Sequence, residues 1–416
     1  MGRVFELEGY AAVGMEGQTF VPLNSESTIE MPYGSELMLL PDREPVLYNI
    51  KKKRLETLSE NPFEPGKPIF PVAVFNSPGY VISCVSAYRE KKSACCLPLF
   101  SYGATGMHQG VFRSAAILVD SEPRQDLRLM KHKDVLRGVK KMKKLMPGNR
   151  LRQHLEKCAL EYGCPAGKNF FLGRFEAPLP ASQDCNARCL GCLSLQTNSR
   201  IPCSQERLAF TPTPEEIAEI AITHIKRVKH SIVSFGQGCE GDPLMVAGVI
   251  ERAIRIIRSA TPEGTINVNT NGSNPDAVKR LIDAGLDSIR ISLNSFREKC
   301  YTAYFRPVAY SFSDVKKSMD TALEKGKFIS VNYLNCPGIT DTPEELEALV
   351  KFMEQRPVNM IQWRNLNFDP ARYRQKMSRA AYQSPAIGVK TSLSRIKKKF
   401  PDLKYGYFNP PKERFR

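Results

Sequence analysis

The chain is 416 residues long, 42% hydrophobic and 25% charged, which is ordinary globular composition and enough for roughly two to three domains. It holds no run approaching the roughly 18 apolar residues of a membrane helix, and its start carries Arg3, Glu6 and Glu8 where a signal peptide would be apolar. No membrane partner and a cytoplasmic location are therefore expected; the net charge of +17 favours polyanionic partners, and 12 cysteines are too few for a disulfide scaffold.

Residues 1–125 read as a mixed or β-rich domain, with Pro and Gly punctuation and short apolar runs at Leu37 to Leu40 and Val72 to Phe75. Residues 126–175 read as a basic helical connector. From Arg124 to Lys157 twelve Lys or Arg face three acids, while Leu127, Val135, Leu136, Val139 and Met142 supply an amphipathic stripe. The basic face is either solvated or a ridge for a polyanion, nucleic acid included.

Residues 176–370 alternate helical and strand patterns. Thr213-Pro214-Glu215-Glu216 is a capped helix start, and apolar residues follow at helical spacing from Ile217 to Val228. A strand from Ser231 to Phe235 comes next, then the glycine-rich turn Gly236 to Pro243 and a helix from Leu244 to about Ser259. The pattern continues as strand Thr265 to Asn269, helix Pro275 to Ala284, strand Ser288 to Leu293, helix Phe312 to Glu324 and strand Phe328 to Asn335. A helix after Asp341 and a strand Met360 to Arg364 close the series. Parallel strands with helical crossovers make either a doubly wound sheet or a full or partial barrel, and in both the chemistry sits at the carboxyl ends of the strands. Residues 371–416 read as a basic extension, Lys397-Lys398-Lys399 followed by Phe400, Tyr405, Tyr407 and Phe408, that either docks on the barrel or stacks on nucleic acid.

Ahead of the βα series stands Cys185-Asn186-Ala187-Arg188-Cys189-Leu190-Gly191-Cys192. Three thiolates this close face one point only if the backbone wraps around it, a geometry that suits zinc or iron. Zinc needs a fourth ligand, for which Cys203 is the candidate; an iron-sulfur cluster can leave its fourth iron to a small molecule.

A C-x3-C-x2-C loop in this position resembles the signature of the radical S-adenosylmethionine (SAM) superfamily. The resemblance implies an α/β fold with a partial (β/α)6 TIM-type barrel, and a [4Fe-4S] cluster on Cys185, Cys189 and Cys192 whose fourth iron binds SAM. It also implies reductive cleavage to a 5′-deoxyadenosyl radical, with flavodoxin or ferredoxin as electron donor. Gly241 and Asp242, with Glu240 beside them, resemble the element that contacts the SAM amino group. Thr270, Asn271, Ser292 and Asn294 then fall where the family contacts ribose and carboxylate. The run Ala284 to Leu293, with Tyr304, Arg306, Asn332, Gly338 and Asp341, is most similar to the branch of the molybdenum-cofactor GTP cyclase, which adds Arg306 and Asn332 as SAM contacts. The residue before the last cysteine is often aromatic in this family and packs near adenine; here it is Gly191, so other groups must hold the base.

Nine cysteines remain. Cys158, Cys164 and Cys203 are candidates for an auxiliary cluster or simply buried thiols, and Cys239, inside the glycine-rich turn, is a candidate hydrogen-atom donor near the radical. The substrate is left open, with RNA or a peptide as alternatives. The rival reading is a non-catalytic zinc or iron-sulfur nucleic-acid-binding protein, which requires a fourth protein ligand and gives the glycine-rich turn no role; a redox carrier would not bind SAM at all.

Overall fold

Along four successive strands of the carboxyl-terminal two thirds, apolar and polar residues alternate. Ile266 and Val268, Ile289, Ile291 and Leu293, Ile329, Val331 and Tyr333, and Ile361 and Trp363 all belong to one buried core. Between them stand Asn267 and Asn269, Ser288, Arg290 and Ser292, Ser330 and Asn332, and Gln362 and Arg364. A period of two puts these sets on opposite faces of a sheet, one face packed by helices and the other polar.

The structure is a computed structural model describing residue 4, residues 6–197 and residues 200–415. Arg3, part of the reading of the amino terminus, lies outside the described residues. The sheet has seven parallel strands, β1 (Glu176–Pro178), β2 (Ile232–Phe235), β3 (Thr265–Thr270), β4 (Ser288–Leu293), β5 (Phe328–Asn335), β6 (Met360–Asn365) and β7 (Lys404–Gly406), hydrogen-bonded in chain order. Strands that follow chain order place their right-handed crossovers on one face, so the sheet curls around the other.

Asn409, just past β7, demonstrates the curl. Its amide donates to Glu176 Oε1 of β1 at 2.8 Å and to Ser234 Oγ of β2 at 3.3 Å. Its oxygen accepts from Gln362 Nε2 of β6 at 2.8 Å. One buried side chain reaches three strands because the sheet wraps around it. The α/β partial barrel is thus present, with seven strands where six were expected. The seventh comes from the extension, in which three residues paired with β6 are too short to leave a period in the sequence.

Helices α1 (His132–Leu145), α2 (Arg150–Leu160) and α3 (Pro165–Leu172) precede β1. The first buries Val135, Val139 and Met142 and leaves Lys140, Lys141, Lys143 and Lys144 exposed. The crossovers contain α4 (Pro214–Arg227), α5 (Ala247–Ala260), α6 (Pro275–Ala284), α7 (Glu298–Phe305), α8 (Phe312–Glu324), α9 (Pro343–Gln355), α10 (Pro370–Ala380) and α11 (Val389–Lys399). The reciprocal capping box at Thr213 and Glu216 forms as its sequence predicts.

The amino-terminal part is β-rich and antiparallel. The two apolar runs of the sequence pair with each other, Leu37 opposite Val74 and Leu39 opposite Val72. This part docks on the carboxyl ends of β5 and β6. Asn335 Nδ2 donates to the Ile82 carbonyl at 2.8 Å, while Asn365 accepts from Ile82 N at 2.9 Å and donates to the Tyr80 carbonyl at 2.9 Å. A buried ion pair of 3.2 Å between Arg43 and Asp369 adds to the joint. Phe75, Asn76, Pro78 and Ser101 thereby become one wall of a cleft over the barrel mouth.

Candidate active site

The cleft encloses about 470 Å³ and is lined by all three cysteines of the triplet together with the ends of β2 to β6. The loop that carries the cysteines follows β1 and is held from two sides. On one, the Arg188 and Leu190 amides donate to the Phe305 and Tyr304 carbonyls at 2.8 and 3.1 Å, at the end of α7. On the other, the Gly241 and Asp242 amides donate to the Ser182 and Asp184 carbonyls at 2.7 and 2.9 Å. Gly241 is required there, since a Cβ would lie 1.9 Å from the Asp184 carbonyl oxygen.

Glu240 is buried and accepts four backbone N–H groups, Ala181 and Ser182 on Oε2 at 2.7 and 3.0 Å, Gly236 and Gln237 on Oε1 at 2.7 Å each. Burial pushes its carboxyl up to about 7 against the pull of these donors. All its lone pairs are taken, so it staples the glycine-rich turn to the segment after β1. Asp242 accepts Leu244 N at 3.0 Å, Asn271 N at 2.7 Å and the Thr270 hydroxyl, which sits 2.8 and 3.0 Å from its two oxygens. That makes three donor hydrogens on about four lone-pair sites, leaving capacity for one more donor. Burial also pushes this carboxyl up, and the same three donors oppose it.

Thr270, Asn271, Ser292 and Asn332 line the cleft. Asn271 Nδ2 donates to Asn186 Oδ1 at 2.8 Å and so ties the cysteine loop to β3. Asn332 Nδ2 lies 3.5 Å from Ser292 Oγ, and its buried Oδ1 has no partner.

The structure places two expected contacts elsewhere. Asn294 lies outside the cleft lining: β4 has ended, the chain turns toward the helices, and its amide donates to the Cys300 carbonyl and the Tyr373 hydroxyl at 3.1 Å each. Arg306 caps α7 and its guanidinium donates to the Arg188 carbonyl, so it holds the cysteine loop rather than lining the cleft. Cys239 is buried and also outside the lining, between Gly238 and Glu240, which are in it.

Burial pushes the Cys185 thiol up to about 11, with the Asp242 charge adding, and carries Cys189 well above its ordinary value. Metal binding there has to displace protons. Arg207 donates to Cys192 Sγ at 3.4 Å and to Ser194 Oγ at 3.2 Å, and neither its place in a loop nor any motif signals this in the sequence. Gly191 has Asn367 O and Tyr304 Oη 2.8 and 2.9 Å from where a Cβ would stand, so a larger residue is excluded. Aromatic surface comes instead from Tyr304 and Phe305, both in the lining. Arg290 and Arg364 are also in the lining; Arg290 donates to Gln362 Oε1 at 2.8 Å and Arg364 to the Tyr407 carbonyl. Burial and the Arg364 charge push the Arg290 guanidinium down to about 9.

Residues 179–353 match the Radical SAM superfamily. They are a radical SAM domain. The chain is 26% identical over 215 residues to a GTP 3′,8-cyclase of Chlorobaculum tepidum, covering 49% of this chain and 61% of that protein. It is 30% identical over 121 residues to the FeMo cofactor biosynthesis protein NifB of Klebsiella pneumoniae, covering 28% of this chain and 25% of that one. The chain thus spans about three fifths of the first relative and a quarter of the second. Among solved structures, the hydrogenase maturase HydG from Carboxydothermus hydrogenoformans aligns with a TM-score of 0.36 at 16% identity, over 62% of this chain and 69% of that one. Methylornithine synthase (PylB) aligns with 0.37 at 14%, over 58% and 68%. In the radical SAM domain described here, no helix among the described residues is long and apolar enough to cross a membrane, and the same holds outside it.

Proposed function

We propose that this protein is a radical SAM enzyme acting on a substrate with an anionic group. The carrying observation is the convergence of Cys185, Cys189 and Cys192 with Asp242, Thr270, Ser292 and Asn332 around one cleft at the carboxyl ends of the strands. The residues fit a [4Fe-4S] cluster and SAM. Three thiols face a common space without a fourth cysteine in the lining, Asp242 retains acceptor capacity for an ammonium, and Asn332 Oδ1 awaits a donor. Held by Cys185, Cys189 and Cys192, such a cluster would supply the electron for reductive cleavage of SAM.

The chain's own part is to hold and to exclude. Arg207 holds Cys192, the end of α7 and the Gly241 amide fix the loop, and Tyr304 and Phe305 offer the aromatic face that Gly191 lacks. The amino-terminal wall at Phe75 and Pro78 keeps bulk water from the mouth. Arg290 and Arg364 in the lining offer two guanidiniums, which suit a phosphate or carboxylate on the substrate. A relative named for GTP as its substrate is consistent with such a group. The turn at Gly236 to Pro243 is part of the cleft wall, which favours this reading over a non-catalytic zinc protein.

The test is anaerobic reconstitution with iron and sulfide, reduction, and an assay for 5′-deoxyadenosine in wild type and Cys189→Ala. Cleavage in wild type that disappears in the variant is the expected result. Tight zinc binding at the triplet, with no change in the reduced protein's spectrum on adding SAM, would overturn the reading.

A further inference from the structure

Away from the cleft, His154 and Cys158 stand one turn apart on α2, and a spacing of four puts both on one face. Cys239, in the glycine-rich turn, comes to meet them. Among the described residues these are the one group of three His, Cys, Asp or Glu whose ligand atoms all lie within 4.8 Å of one another. His154 Nε2 is 3.4 Å from Cys158 Sγ, and Cys158 and Cys239 are buried, at 2% and 6% exposure. Cys164, at the start of α3, donates its amide to the Cys158 carbonyl at 2.9 Å, which puts it beside this group in the chain. Three soft donors from two separate segments thus gather at one point.

We propose that His154, Cys158 and Cys239 form a second metal site, a tetrahedral zinc centre that takes its fourth ligand from the adjacent Cys164 and clamps the α2–α3 connector to the glycine-rich turn. Sulfur and imidazole select zinc over magnesium, calcium or manganese. Tetrahedral zinc with bonds of about 2.0–2.3 Å sets its ligand atoms roughly 3.5–3.8 Å apart. The observed 3.4 Å between imidazole and thiol matches that spacing. An iron-sulfur cube would instead put each cysteine on a different iron and spread the sulfurs. Binding is balanced by release of the thiol protons, with no redox partner needed. The clamp explains why Cys239 points away from the cleft, and it would steady the turn that carries Glu240 and Asp242.

The experiment uses the full chain. A Cys185→Ala, Cys189→Ala, Cys192→Ala variant removes the first site, and elemental analysis of this protein, purified without added iron, is expected to find roughly one zinc per chain. Cobalt(II) should replace it and give the intense visible absorption of tetrahedral thiolate coordination. Adding Cys158→Ser or Cys239→Ser should weaken cobalt binding at least about tenfold. Zinc-edge X-ray absorption on the unmodified protein, which does not depend on any variant folding, should show sulfur-dominated coordination with one imidazole. Absence of zinc from the unmodified protein, an oxygen-dominated shell, cobalt affinity unchanged by both Cys158→Ser and Cys239→Ser, or iron with sulfide in its place would each overturn the proposal. Because none of these readouts involves SAM cleavage, failure here is distinct from failure of the radical reading.

Discussion

Glu240 and Asp242 stand two residues apart in one turn, yet their hydrogen bonds give them different parts. Glu240→Gln must place an amide NH2 against two backbone N–H groups, losing two hydrogen bonds and opposing their donors. We expect a loss of about 2–4 kcal/mol in urea unfolding. A change below 0.5 kcal/mol, on the order of a surface substitution, would mean the four contacts do not form in solution. Gly191→Ala should leave the fold intact but displace the cysteine loop, because the new methyl meets the Asn367 carbonyl and Tyr304 Oη. The expected outcome is normal circular dichroism with much reduced iron after reconstitution; full iron loading would refute the crowding argument. The cysteine triplet was legible because three thiols in eight residues are rare by chance. Arg207 and Phe305 were not, since a lone arginine in a loop and an aromatic on a short helix look like any others. Asn294 misled because strand parity stops applying once the chain leaves the sheet.

Elements with strong periods appear in the structure close to where their patterns put them: β4 and β5 span the residues expected, as do α6 and α8. The elements missed include β1, β7 and α7, which are short, and α10 and α11, which lie where the chain reads as a basic extension. A three-residue strand is defined by its neighbours rather than by its own side chains. Within α4, His224 is fully buried and its Nε2 lies 3.2 Å from the Phe175 carbonyl just before β1. Burial pushes this imidazole down to about 4 from an ordinary 6.5. The unfolded chain therefore takes up the proton first as pH falls. Stability that is complete above pH 6.5 is lost on the way down to pH 4, about 3 kcal/mol in all. His224→Gln should flatten that dependence, and comparing urea midpoints at pH 7 and pH 5 would check it; an unchanged slope in the variant would point to other groups.

At the scale of the molecule, two additions complete what the radical SAM domain begins. The carboxyl-terminal segment supplies β7 and sends Asn409 into the barrel, and the amino-terminal part walls the cleft. Asn409→Ala would leave Gln362 and Glu176 each short of a partner in a buried place, so a loss of about 1–3 kcal/mol is expected in thermal or urea unfolding. A neutral result would mean water replaces the amide without cost. Neither addition was legible as part of the site: contacts between residues more than 200 positions apart, such as Asn335 with Ile82, leave no local pattern in the chain.

The alternation along β3 to β6 has a consequence for how such a protein can change. Residues on one face are committed to packing against the helices, and those on the other that reach the cleft, Ser292 and Asn332 among them, meet whatever it holds. Heritable change can therefore work on the second set while the first stays frozen. The strands act as two interleaved texts, one that keeps the fold and one free to be rewritten for a new substrate.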